Sequence, residues 1–317
     1  MTTRRGAREE PGGGRAGRAG WPAGWPGPVA LPAAAAAPLV DVAWLRAHRG
    51  EVVLLQVDDD SSSYYEAHLP GARPVDTFDE LHQQVRRGPV HREAFEAVMR
   101  AKGVRREDHV VLYSAGDPTH AAFALWLMRR YGHRRLSLLD GGLRAWRAAG
   151  HPTTPEVPRW PRWPDDPGVP PYVSESVRDP LVVGRDEVLA RFVDAPPPAL
   201  VLDCRSPAEH RGDGYHQLDV AAERHRVSGH VPGSRNLPSG LVLEDDGTFR
   251  ARRQLEELFA SRGLRADSEV VVYCRLAERS ALLWFALAEL VGHPAVRHYV
   301  GGWAEYGSLV DAPVERG

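Results

Sequence analysis

The sequence predicts an α/β protein built from two repeated domains, each a parallel sheet flanked by helices, and three observations carry that expectation. Short, uniformly apolar runs such as Val52–Val57 and Val270–Tyr273 suit strands buried on both faces. Such runs alternate with helical stretches, among them Gln254–Ser261 and Ser280–Leu290, as a parallel sheet with crossover helices requires. The third observation is an internal repeat. VVLYSAGDPTHAAFALWLMRRYGH, from Val110, aligns without a gap on VVVYCRLAERSALLWFALAELVGH, from Val270, at an offset of 160. Tyr113 meets Tyr273, Gly132–His133 meets Gly292–His293, and Gly141–Gly142 meets Gly301–Gly302. Upstream, His68-Leu-Pro-Gly-Ala-Arg73 answers His230-Val-Pro-Gly-Ser-Arg235 at an offset of 162. A duplicated domain explains all of these matches.

Taken in order, residues 1–38 are rich in Arg, Gly, Pro and Ala, have little to bury, and read as a disordered extension. Arg4–Arg5 and the Ala33–Ala37 run do not amount to an export signal, because Glu9, Glu10 and scattered prolines interrupt them. The first domain spans 39–151, with Asp41 placed to cap a short helix through Trp44 and Leu45. Eight prolines between Pro152 and Pro171 exclude regular structure and mark 152–178 as a Pro-rich linker. The second domain, 179–317, carries strands at Leu200–Asp203, Val270–Tyr273 and Val296–Val300.

Composition sets outer bounds. The 317 residues suffice for two domains, and 43% hydrophobic with 26% charged residues is ordinary for a globular chain. A net charge of −2 gives no reason to expect nucleic acid, and no run is long enough to span a membrane. Two cysteines, Cys204 and Cys274, cannot form a disulfide framework and fit a reducing cytoplasm. The 14 histidines show no metal-ligand spacing, and no cofactor is implied.

The chemistry points to Cys274. It follows a buried strand and precedes a helix beginning near Arg279 or Ser280, so it sits in a tight loop where unpaired backbone N–H groups and the helix dipole stabilise an anion. Arg275 and Arg279 flank it and favour a thiolate and an anionic substrate. In the first copy Ser114 replaces Cys274, while Ala115 and Thr119 replace the arginines. That copy is therefore expected to be inactive and to help wall the cleft of the other.

These features together resemble the tandem-domain rhodanese family, the thiosulfate and 3-mercaptopyruvate sulfurtransferases. The resemblance covers about residues 39 to 317. It rests on His68-Leu-Pro-Gly-Ala, Leu139-Asp-Gly-Gly, Asp203-Cys-Arg-Ser-Pro-Ala-Glu209, Gly229-His-Val-Pro-Gly233, Cys274-Arg-Leu-Ala-Glu-Arg-Ser280 and Gly301-Gly-Trp-Ala-Glu-Tyr306, in the family's order. It implies two rhodanese-like domains and a sulfur transfer in which Cys274 takes the outer sulfur of a small anionic donor as a persulfide and passes it to a thiol or cyanide. Arg275, Leu276, Ala277, Glu278, Arg279 and Ser280 would form the substrate-binding loop, their backbone amides cradling the anion. Four residues separate Cys274 from Arg279, one fewer than in the phosphate-encircling loop of phosphatases that share this fold, which suits a single sulfur. The two arginines favour thiosulfate; 3-mercaptopyruvate sulfurtransferase and a non-catalytic sulfur-carrier or regulatory module are the alternatives.

The same resemblance assigns Asp203, Arg205, Glu209 and His230 to the frame around the loop. Asp203 and Arg205 match the family's Asp-x-Arg, which braces neighbouring loops by ion pairing. Glu209 stands where some members have a substrate-binding arginine. His230, repeated as His68 in the inactive half, is expected to stabilise its turn by a side-chain hydrogen bond. Ala277 replaces a family glycine, which costs roughly 1 kcal/mol if the position needs a positive φ. Glu278 would oppose a dianion and is expected to point away, toward an arginine. Cys204 reads as a small buried core residue, with a second, resolving thiol as the alternative.

Overall fold

A computed structural model describes residues 36–84, 88–162, 165, 171–175, 180–194, 199–213 and 226–317. Most of the expected extension, residues 1–35, lies outside these, as does much of the second half of the Pro-rich segment. The first half contains strands β1 (Leu39–Val40), β2 (Val52–Asp58), β3 (Arg73–Asp76), β4 (His109–Tyr113) and β5 (Leu136–Leu139). Its helices are α1 (Val42–His48), α2 (Ser62–Glu66), α3 (Arg92–Ala101), α4 (Pro118–Arg130) and α5 (Gly142–Ala148). The second half contains β6 (Ala199–Asp203), β7 (Arg235–Asn236), β8 (Glu269–Tyr273) and β9 (Val296–His298). Among its helices are α6 (Arg185–Arg191), α7 (Pro207–Arg211), α8 (Arg252–Ser261), α9 (Glu278–Phe285) and α10 (Gly302–Tyr306).

Both sheets are parallel, ordered β1-β5-β4-β2-β3 and β7-β6-β8-β9. The repeat seen in sequence is a repeat of register: Leu112 pairs with Leu138 in one sheet, and Val272 with His298 in the other. Where β1 pairs with β5 in the first half, the second half has a single parallel bridge between Val182 and His298. Strands β4 and β8 are buried along their whole length, as their unbroken apolar runs require. Asp41 caps α1 by accepting from the Trp44 N–H at 2.7 Å. Residues 36–38 are not detached from the fold, since Pro38 and Ala37 carbonyls accept from Leu138 N–H and the Ser137 hydroxyl. The described prolyl stretch lies on the first half: Thr154 bridges His68, and the Trp160 indole donates to the Ala101 carbonyl.

The halves meet through α4 and α9, which pack against each other. From Ala121 to Arg129 every residue of α4 is buried, which is why this helix lacks a polar face. One continuous core joins the inner faces of both sheets to these helices, and separate cores cover the two outer faces. Across the seam Arg129 Nε lies 2.8 Å from Glu289 Oε1, both side chains almost fully buried. These residues are 160 positions apart and hold equivalent places in the two copies, so each copy supplies one member of the pair from the same position. The expected helix 280–290 starts slightly earlier, at Glu278, and its last turn, Ala286–Val291, widens into a π-helix. Strand β9 ends at His298 rather than Val300, because the chain then turns into Gly301–Gly302.

Candidate active site

Strand β8 delivers Cys274 to the carboxyl edge of the sheet, and the backbone behind it fixes the loop. Trp303 N–H donates to the Cys274 carbonyl at 2.8 Å, and Gly302, at φ 53°, lies so close that a Cβ would sit 2.6 Å from that oxygen. In the first half Leu143 N–H donates to the Ser114 carbonyl, and Gly142, at φ 54°, has the same clearance. Both glycine pairs thus serve loop shape. A second shared lock is the strand-end tyrosine. Tyr273 and Tyr113 hydroxyls accept from Val231 N–H and Leu69 N–H, tying each His-x-Pro-Gly turn to its sheet.

The two loops differ in what they do with the helix start. Asp117 caps α4, accepting from Thr119 N–H at 2.9 Å. At the equivalent position Ala277 offers no capping oxygen and adopts φ 104°, ψ −26°. Its N–H instead points at Cys274 Sγ, 3.2 Å away, and the Ser280 hydroxyl lies 3.3 Å from the same sulfur. The α9 start therefore offers its donors to sulfur. In the first half the Ser114 hydroxyl donates to Val57 O at 2.7 Å and accepts from Ala121 N–H, so it is used up within the fold.

The charged members of the loop find specific partners. Arg279, expected to bind substrate, directs Nη1 and Nη2 to the two carboxylate oxygens of Glu209 at 2.8 and 3.0 Å. Glu209 also closes a capping box with Ser206 at the start of α7. Burial pushes the Glu209 carboxyl up, but the Arg279 contact outweighs it and holds the group at about 2. Glu278 meets a histidine of the first half and not an arginine, and it also borders the cavity between the halves. Its Oε1 is 2.9 Å from His82 Nε2 of the first half. Arg279, the adjacent arginine, is already taken by Glu209. Arg275 is buried to within 8% and still borders the cleft; Leu276 faces a second pocket beside Tyr299 and Gly301.

The frame residues lie beneath the loop. Arg205 Nη2 is 2.6 Å from Asp203 Oδ2, both side chains fully buried, and Tyr273 donates to the same carboxylate at 2.9 Å. Arg205 also donates to Gly229 O and lies over the Trp303 ring, tying three segments together. His230 Nδ1 contacts the His210 carbonyl at 2.7 Å while the two rings stack, and His210 Nδ1 reaches Asp203. Cys204, just past the end of β6 and beside Cys274, is 1% exposed, and burial pushes its thiol well up.

A cavity of about 470 Å³ lies between the halves. Arg275, Glu278 and Arg279 border it from the second half, and Asp58, Asp59, Asp60, Asp117 and His120 from the first. Cys274 itself has no exposed surface and lies behind the loop. Sequence reasoning missed the acidic wall, His82, His210 and His298, which contacts Ser280. For His298 the repeat held a signal, since its counterpart is Leu138.

Known proteins agree with this architecture. The rhodanese-like domain family matches residues 40–149 and again 185–309. A protein of Mycobacterium tuberculosis named "putative thiosulfate sulfurtransferase" is 36% identical over 284 residues, covering 88% of this chain and 98% of that protein. The sulfur carrier protein TtuD of Thermus thermophilus is likewise 36% identical, over 88% of this chain and 96% of its own length. Among solved structures, the anaerobic ergothioneine biosynthesis enzyme of Chlorobium limicola superposes with a TM-score of 0.74 over 88% of this chain and 70% of that one, at 23% identity, a likeness of fold. With two matched domains, an ungapped repeat between them and relatives aligned over nearly their full length, the chain belongs to the rhodanese-like family in its tandem-domain form.

Proposed function

We propose that this protein is a thiosulfate sulfurtransferase acting through a Cys274 persulfide. The observation that carries the reading is the uncapped start of α9, where Ala277 N–H and the Ser280 hydroxyl both meet Cys274 Sγ. The thiolate attacks the outer sulfur of thiosulfate, the S–S bond breaks, and sulfite leaves with the bonding pair. The outer sulfur then carries the negative charge, stabilised by the donors of the loop. A thiol or cyanide attacks that sulfur, and the Cys274 thiolate is restored. Arg275 supplies the cation for the donor's sulfonate end, while Arg279, paired with Glu209, mainly holds the loop in shape.

The test is direct. Incubation with thiosulfate should leave the Cys274 peptide heavier by one sulfur atom, and Cys274→Ser should abolish both adduct and turnover. Absence of the adduct with undiminished turnover in Cys274→Ser would refute the reading. A second reading, a sulfur carrier, draws support from the full burial of Cys274 and from the name of the Thermus relative. It predicts that the persulfide forms but passes to a protein partner and not to cyanide or small thiols. A kcat/KM strongly favouring 3-mercaptopyruvate over thiosulfate would instead select the other donor.

A further inference from the structure

Behind the loop lies a buried chain of three side chains: Cys274 Sγ, the Ser280 hydroxyl 3.3 Å from it, and His298 Nε2 2.5 Å from that hydroxyl. Ser280 and His298 have no exposed surface, and His298 is the last residue of β9, one strand over from Cys274. The other ring nitrogen, Nδ1, is buried and finds no hydrogen-bond partner among the described residues. The edge or face of Trp126, from the first half, meets the imidazole at 4.7 Å between centroids. At the equivalent positions of the inactive copy stand Ser114, His120 and Leu138, so nothing there could form the chain.

The orphan nitrogen decides how the chain is directed. A proton on Nδ1 would be a buried donor without an acceptor, whereas a bare lone pair there costs less. The favoured neutral imidazole therefore carries its proton on Nε2 and donates to Ser280 Oγ. With that lone pair occupied from behind, the single hydroxyl proton of Ser280 is left for the acceptors in front of it, Cys274 Sγ and the Ala277 carbonyl at 3.1 Å. An anionic sulfur is the stronger of these acceptors. In the opposite tautomer Nε2 would capture the hydroxyl proton and take it away from sulfur.

We propose that His298 is a positioning residue: through its Nε2–H it holds Ser280 so that the hydroxyl donates to Cys274 whenever the sulfur is an anion, as thiolate or as persulfide. The persulfide part rests on the sulfur-transfer reading above; the thiolate part does not. The charged groups acting on the ring are Arg130 and Glu278. Burial lowers the imidazole most, Arg130 adds to this and Glu278 opposes it, with the result near 3, so the ring stays neutral across the working range. A shift in sulfur reactivity on mutating His298 thus reports direction of hydrogen bonding and not loss of a titrating cation.

The experiment measures the rate of iodoacetamide alkylation of Cys274 against pH, read by peptide mass spectrometry on the full chain. His298→Leu installs the residue that the first copy carries at the same register, which favours folding. It should move the midpoint of the profile up by about one pH unit and slow alkylation at neutral pH roughly tenfold. His298→Gln, whose amide nitrogen can reach the place of Nε2, should recover most of the wild-type profile. His298→Asn, whose amide reaches only the place of Nδ1, should behave like the leucine variant. Adding Ser280→Ala to any of them should leave a single common profile. A structural role alone would alter unfolding temperature without this Gln-versus-Asn contrast. Superimposable profiles for wild type, Asn and Gln variants overturn the proposal, and should the leucine variant fail to fold, the Asn–Gln pair decides it. Sulfur loading from thiosulfate is scored separately: a shifted profile with no loading by the wild type would refute the sulfur-transfer reading and leave the directed hydrogen bond standing.

Discussion

Arg279 and Glu209 grip each other through two hydrogen bonds of 2.8 and 3.0 Å, joining the first turn of α9 to α7 at the edge of the cleft. The pair braces the loop while Arg279 still borders the cavity. Glu209→Gln removes the charge and leaves a nearly buried guanidinium without its counter-ion, so it should destabilise the protein by about 3 kcal/mol at neutral pH, measured by denaturant unfolding. Acid supplies a second check. The folded carboxyl sits at about 2 against an ordinary 4.5, so its contribution is complete above the upper value and disappears as pH falls through the lower one. Wild-type stability should decline steeply across that interval, and Glu209→Gln should show a shallower acid limb.

Glu278 and His82 connect the loop to the first half, 2.9 Å apart. Burial raises the Glu278 carboxyl, but the contact with His82 outweighs it and holds the group below the usual range. His82→Leu keeps a bulky apolar side chain against Phe123, with which the imidazole stacks, and removes the contact that offsets burial, so the Glu278 carboxyl at the cavity edge should rise. The pH below which KM for an anionic donor falls, as Glu278 loses its charge, should therefore move up, with little change in kcat. An unchanged pH dependence of KM would mean that Glu278 does not act on the donor.

The wall opposite the loop carries Asp58, Asp59, Asp60 and Asp117. Such a wall slows the approach of a dianion. Asp59→Asn combined with Asp60→Asn should raise kcat/KM for thiosulfate roughly twofold to fivefold at low salt, and the gain should shrink as ionic strength screens the charges. Stopped-flow or steady-state rates over a salt series decide it.

The gross fold was legible because it rests on local signals. Uniform apolar runs announced β4 and β8, and the ungapped repeat announced the second domain together with the Cys274–Ser114 contrast. Partnerships across distant segments were not legible. Nothing near Glu278 in sequence indicates His82, and Arg279 meets a carboxylate 70 positions away. The repeat also sets Asp117 against Ala277 and Leu138 against His298, which separate capped scaffold from open loop as clearly as Ser114 against Cys274. The backbone angle of Ala277, by contrast, is set by the residues around it and is not written in its own identity.

Ala277 is one of three described non-glycine residues with positive φ, and at 104° its Cβ crowds its own backbone. The strain is retained because that conformation turns the Ala277 N–H onto Cys274 Sγ. Ala277→Gly relieves the clash but frees the unfolded chain, so the net gain should be about 0.5–1 kcal/mol in urea unfolding. Ala277→Val, β-branched at the same angle and fully buried, should instead destabilise the fold by more than 1 kcal/mol, a rough figure from steric cost. Should glycine destabilise the protein as much as valine does, packing of the alanine methyl, and not backbone strain, governs this position.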